Sequence, residues 1–169
     1  ELLGISCSIL DGLAAVHRAG IVHRDLKPDN VFLLSEEDGG VRPKLLDFGV
    51  SRTVDSSAGR RSVLTTSAGR LVGTPVYMPP EQARGRQDID HRADIYSFGV
   101  ILYEGLTGEL PYYAEGVGDL IMEIVAGGAP TVVERRPDVG PPISDVIAKA
   151  MSILRDDRYA SATAMKEAL

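Results

Sequence analysis

The 169-residue chain sets 18 Lys and Arg against 24 Asp and Glu, a formal net charge of −6, which gives no basis for a nucleic-acid partner. Its 44% hydrophobic and 25% charged content is ordinary for a globular domain with a substantial core. No apolar run approaches the ~20 residues that span a bilayer, no leader pattern opens the chain, and the single cysteine, Cys7, excludes an internal disulfide and suits a reducing compartment.

Leu2, Leu3, Ile5, Ile9, Leu10, Leu13 and Val16 recur at helical spacing, which predicts an amphipathic helix over roughly residues 1–18 with Gly20 in the C-cap region. The chain opens at Glu1 already inside this pattern and reads as a fragment. Next comes His23-Arg24-Asp25-Leu26-Lys27-Pro28-Asp29-Asn30, with a carboxylate, an ammonium and a carboxamide too close together to lie along one helix face. Pro28 disfavours the α region for its predecessor, so the stretch reads as a rigid, irregular loop. Two apolar runs follow, Val31 to Leu34 and Lys44 to Leu46, joined by a polar turn from Ser35 to Gly40. Paired as a hairpin, they bring Asn30 beside Asp47 of Asp47-Phe48-Gly49. Two hard-oxygen side chains near a lysine suit Mg²⁺ with a phosphate close by.

From Val50 to Val72 periodicity dissolves into Ser, Thr, Gly, Ala and Arg, the pattern of a long functional or disordered loop. Gly73 to Glu81 closes it. Ala93 to Leu106 is apolar nearly all round and predicts a buried helix. Asp94 near its start requires hydrogen-bond partners there, or else serves the helix dipole; the two roles are compatible. A turn-rich stretch over Thr107 to Gly118, a short helix around Leu120 to Val125, and an irregular connector from Ala129 to Pro142 follow. A helix from Ile143 to Leu154 and a last one over Ala160 to Leu169 complete a helical bundle without internal repeats.

The catalytic-loop and Asp-Phe-Gly stretches, in this order and joined by a hairpin-length connection, resemble the C-terminal lobe of a protein kinase. The resemblance covers essentially the whole chain. It implies a mainly α fold, a helical bundle whose short β-hairpin carries the catalytic and metal-binding loops, with residues 47–81 as the activation segment. It also implies the roles that follow. Asp25 accepts or orients the substrate hydroxyl proton, a contribution of about 10²–10⁴ in rate. Lys27 neutralises charge on the transferring phosphate, Asn30 and Asp47 hold Mg²⁺ bridging the ATP phosphates, and Phe32 packs beneath the adenine. His23 and Phe48 serve packing, with Gly49 beside them. Arg24 captures a phosphate on the activation loop, for which Thr65, Thr66 and Ser67 are the first candidates and Ser62 the next. Asp94 grips the catalytic loop, Glu81 pairs with Arg158, and Pro79 stands where the family has Ala.

Lys27-Pro28 and Thr74 resemble the serine/threonine-specific branch, and the tail from Arg136 to Tyr159 is similar to bacterial eukaryotic-like kinases. The partner implied is a protein carrying a Ser or Thr acceptor. The location implied is cytoplasmic, including as the cytoplasmic part of a longer membrane-anchored kinase. Neither Gly-x-Gly-x-x-Gly nor Val-Ala-x-Lys occurs in the sequence. The resemblance therefore implies the larger lobe of a kinase active when an N-terminal lobe completes it. The alternative is a truncated, inactive kinase-like binding or regulatory module.

Overall fold

The computed structural model describes residues 2–36, 40–47 and 75–169. The opening periodicity becomes α1, Leu2–Arg18, which buries Ile9, Leu10 and Leu13 along one face. Gly20, at φ 75°, turns the chain away from its end, a backbone conformation that strains other residues. A 3₁₀ turn, Pro28–Asn30, leads into β1, Val31–Ser35, which pairs antiparallel with β2, Val41–Leu45.

The second strand begins three residues earlier than the apolar pattern suggests, because Pro43 obscured it. Main-chain bonds flank the ladder at Glu36 N to Gly40 O, 2.8 Å, and Leu46 N to Asn30 O, 2.9 Å. Antiparallel pairs alternate between bonded and non-bonded, so the Leu33–Pro43 pair is non-bonded and the missing proline N–H breaks nothing.

After a 3₁₀ turn, Pro75–Tyr77, the chain forms α2, Pro80–Ala83, and then α3, Arg92–Thr107, around which the bundle packs. Ile95, Tyr96, Phe98, Val100, Leu102 and Tyr103 of α3 are all buried, as its nearly continuous apolar character requires. Each of the Ile, Phe, Val and Leu side chains among them contributes about 1.5–3 kcal/mol relative to exposure. Val117–Ala126 forms α4, Val132–Arg135 α5, Pro141–Ala150 α6 and Ala162–Ala168 α7.

Two boundaries differ from the sequence expectation. The connector at 129–142 is not wholly irregular: Thr131 and Glu134 form a reciprocal capping box that starts α5. Helix α6 starts at the Pro141-Pro142 pair, tolerated in a first turn, and stops at Ala150, leaving Leu154 outside it and exposed. At Gly99 α3 approaches α6 so closely that an added Cβ would lie 3.0 Å from both Ala150 Cβ and Met151 Cγ. No helix among the described residues is long and apolar enough to cross a membrane.

Candidate active site

The loop after α1 is fixed by what it buries. His23 and Leu26 are 0% and 1% exposed, and Asn30 is buried beyond them, so the stretch is pinned at three points. Between these pins Asp25 and Lys27 remain partly exposed, with Lys27 Nζ 3.4 Å from Asp25 Oδ2. The Asn30 side-chain amide donates to the Asp25 carbonyl at 2.7 Å and lies 3.5 Å from Asp25 Oδ2. The amide nitrogen of Asn30 thus serves the loop, and its oxygen is the atom suited to a metal.

Asp94 supports the loop from α3. Its Oδ2 accepts from the His23 N–H at 2.8 Å and its Oδ1 from the Arg24 N–H at 2.9 Å. That clamp holds Arg24 at φ 65°, a left-handed conformation uncommon for a residue with a side chain. His17 Nε2 lies 2.8 Å from the same Oδ2, so the buried carboxylate is bonded on several sides, as burial demands. Nothing in the sequence pattern singled out His17, which looks like one more polar residue near a helix end. Gln82 was missed for the same reason; its Nε2 donates to the Arg24 carbonyl at 3.0 Å.

His23 joins the loop after α1 to the segment that follows β2. Its Nε2 bonds the Leu46 carbonyl at 2.9 Å, while the Leu46 N–H bonds Asn30 O at 2.9 Å. With both of its main-chain groups tied, Leu46 delivers Asp47, at φ 52°, to the side of the hairpin where Asn30 sits. Lys27, Asp29, Asn30, Asp47, Val76, Tyr77 and Leu110 line one cleft of about 600 Å³, within the usual range of ligand sites. Asp25 lies beside this cleft rather than in its lining and reaches it through Lys27. Phe32 is on the hairpin, 54% exposed, and does not line the cleft.

The segment bordering the cleft is itself anchored. Ser97 Oγ donates to Tyr77 O at 2.8 Å, and Tyr77 Oη donates to Glu104 Oε2 at 2.6 Å. Burial and this carboxylate together hold the Tyr77 phenol well above its ordinary pKa, so it stays a donor. Glu81, in α2, makes a bidentate pair with Arg158 at 2.7 Å for each bond, both residues buried. The guanidinium also donates to the carbonyls of Ser152, Ile153 and Arg92 and lies over the Tyr96 ring at 4.9 Å. Phe48, Gly49, Thr65, Thr66, Ser67 and Thr74 fall outside the described residues, as does most of the expected activation segment.

Residues 2–168 match the model of the protein kinase domain. The chain belongs to the protein kinase family. The mainly helical fold of the described residues, with a two-stranded antiparallel sheet, is that of a kinase C-terminal lobe. It is 40% identical over 168 residues to the serine/threonine-protein kinase Pkn1 of Myxococcus xanthus, covering 99% of this chain and 23% of that protein. With pkn3 of the same organism it shares 40% over 171 residues, 100% of this chain and 31% of the relative. With PknL of Mycobacterium tuberculosis it shares 39% over 157 residues, 93% and 37% respectively. The chain therefore spans about a quarter to a third of the length of these relatives, all of them bacterial.

Protein kinases in general use ATP and Mg²⁺. The donor set fits that use: an amide oxygen and a carboxylate beside an ammonium suit a hard cation that keeps phosphate oxygens among its ligands.

Proposed function

We propose that this chain forms the catalytic lobe of a serine/threonine protein kinase, which transfers the γ-phosphoryl group of ATP to Ser or Thr hydroxyls of proteins when completed by an N-terminal lobe. The observation that carries the reading is that Lys27, Asn30 and Asp47 line one cleft, with Asp25 beside it 3.4 Å from Lys27 Nζ, while Asp94 and His23 hold the loop that bears Asp25, Lys27 and Asn30.

In this reading Asp25 orients the acceptor hydroxyl and takes its proton as the oxygen–phosphorus bond forms and the bond to the ADP leaving group breaks. Lys27, 3.4 Å from Asp25, neutralises charge on the phosphoryl oxygens between them. Asn30 and Asp47 would hold Mg²⁺, which supplies charge neutralisation at the ATP phosphates. Little covalent chemistry falls to the protein in such a transfer; positioning and electrostatics dominate. The serine/threonine preference is supported by Lys27-Pro28 and by the names of the relatives. Phe32, exposed on the hairpin, is the position proposed to face adenine. A cytoplasmic site of action, by itself or as part of a membrane-anchored protein, accords with the single cysteine.

Radiolabel transfer from ATP to a Ser/Thr peptide, in the kinase that contains this chain, tests the assignment. Asp25→Asn should lower turnover by about 10²-fold or more with ATP binding nearly intact. Asp47→Asn should weaken Mg·ATP binding. Wild-type turnover in both variants would remove the catalytic assignment.

A further inference from the structure

We propose that Gln82 is a positioning residue for Asp25, acting through the carbonyl of Arg24; this rests on the reading of Asp25 as the catalytic base. Arg24 is held in its left-handed conformation from both ends. Its N–H is bonded by Asp94 Oδ1 at 2.9 Å, and its C=O accepts from Gln82 Nε2 at 3.0 Å. That carbonyl and the Asp25 N–H belong to one planar peptide unit. Fixing the oxygen therefore fixes the plane from which the Asp25 side chain departs, and the Asp25 N–H completes the arrangement at His23 Nδ1, 3.4 Å away. Asp94 reaches the amide side of Arg24, whereas the carbonyl side is held from a different element, α2.

The amide of Gln82 is kept at a cost. Its Oε1 is buried without a hydrogen-bond partner among the described residues. Turning the amide over would set that oxygen against the Arg24 carbonyl, two acceptors face to face, so the orientation follows from the Arg24 bond. A side chain needed only for packing would do better as Leu or Met, which leave no orphaned acceptor. Its donor is therefore the reason for glutamine.

The anchor behind Gln82 is rigid. The preceding residue, Glu81, is locked to Arg158 by two 2.7 Å bonds, and Arg158 is tied to the carbonyls of Ser152 and Arg92. Proper seating of residues 79–83 is thus transmitted to Asp25 through one hydrogen bond. Base geometry and the seating of α2 become a single event.

The test uses the kinase that contains this chain. Gln82→Leu should lower kcat by about 10–100-fold with KM for ATP unchanged, the signature of a misplaced base. Gln82→Glu, equal in length but without a donor, should fall as far. Gln82→His, which offers a ring N–H, should recover part of the loss. Wild-type kcat in Gln82→Leu overturns the proposal, as does a loss expressed wholly in KM. Asp25→Asn serves as the control: if it is inactive while Gln82→Leu is not, the positioning role alone fails, and if it is fully active the base assignment fails with it. Should the Gln82 variants not fold, hydrogen exchange of the wild-type Gln82 side-chain amide decides. Slow exchange is expected, and exchange at the rate of a free amide overturns the bond.

Discussion

Arg158 is the residue on which the segment beside the cleft depends. Its guanidinium spends its donors on one carboxylate and three carbonyls, and it is buried. A buried ion pair contributes little over a well-packed apolar pair, but half of one is strongly unfavourable, because the remaining charge has lost both water and partner. Arg158→Leu should therefore destabilise the chain by about 3–5 kcal/mol in urea or guanidinium unfolding. The double change Glu81→Leu with Arg158→Leu should cost clearly less than the sum of the two single changes. Additive losses would mean that the pair is not a coupled unit. The same logic explains Asp94, a buried carboxylate tolerated because several donors surround it.

Among the elements, α3 carries the most consequence. One end holds Asp94 under the loop after α1, and its middle lies against α6 at Gly99, where an added Cβ would meet Ala150 Cβ and Met151 Cγ at 3.0 Å. Gly99→Val should push the two helices apart and cost about 1–3 kcal/mol in unfolding free energy. Part of the shift should appear far from the substitution, as faster amide exchange at His23 and Arg24, because Asp94 moves with its helix. Exchange unchanged at those amides would show that α3 does not transmit the displacement. The short helix α5 illustrates local control instead. Thr131 Oγ1 and the Thr131 N–H both bond Glu134 Oε2, at 2.7 and 2.6 Å, so Thr131→Val should cost about 1 kcal/mol, read from thermal unfolding.

Across the whole molecule, distant segments are fastened by charge. Arg86, Asp88, Arg155, Asp90, Arg92 and Asp156 alternate in a ladder that ties residues 86–92 to residues 155–156. Asp88 is held well below the usual carboxylate range by Arg86 first and Arg155 second. Burial pushes Asp90 up, yet its bonds to Arg92 keep it below its ordinary value. Asp138 is held at about 2 by Arg136. Each is a carboxylate whose folded pKa is depressed. Its stabilisation is complete above the unfolded value of about 3.9 and is lost as pH falls through the folded value. The Tm should accordingly decline below about pH 4, and Arg155→Gln should flatten that decline. Added salt should weaken the contribution of these exposed pairs. An identical acid limb in Arg155→Gln would show the ladder to be thermodynamically idle.

The sequence by itself determined the family, the hairpin and the longer helices in their order, and the identity of the charged groups on the loop after α1. Those are local properties: a proline in the loop, apolar periodicity in α1 and α3, and short motifs of fixed spacing. It also placed Glu81, Asp94 and Arg158 as supports through the resemblance. Strand β2 was legible only in its second half because Pro43 reads as a breaker, while the register shows it on a non-bonded pair that requires no N–H. The end of α6 was misplaced because Met151 and Leu154 keep the apolar period after the helix has stopped. Only the tertiary structure decided that Leu26 is an anchor, that His17 bonds Asp94, and that Gln82 reaches Arg24. Those contacts join residues 77 and 58 positions apart, and a polar side chain carries no mark in the sequence of the distant backbone group it will meet. Which polar residue becomes structural is settled by which buried donor or acceptor would otherwise stay unpaired, and that exists only once the helices have packed.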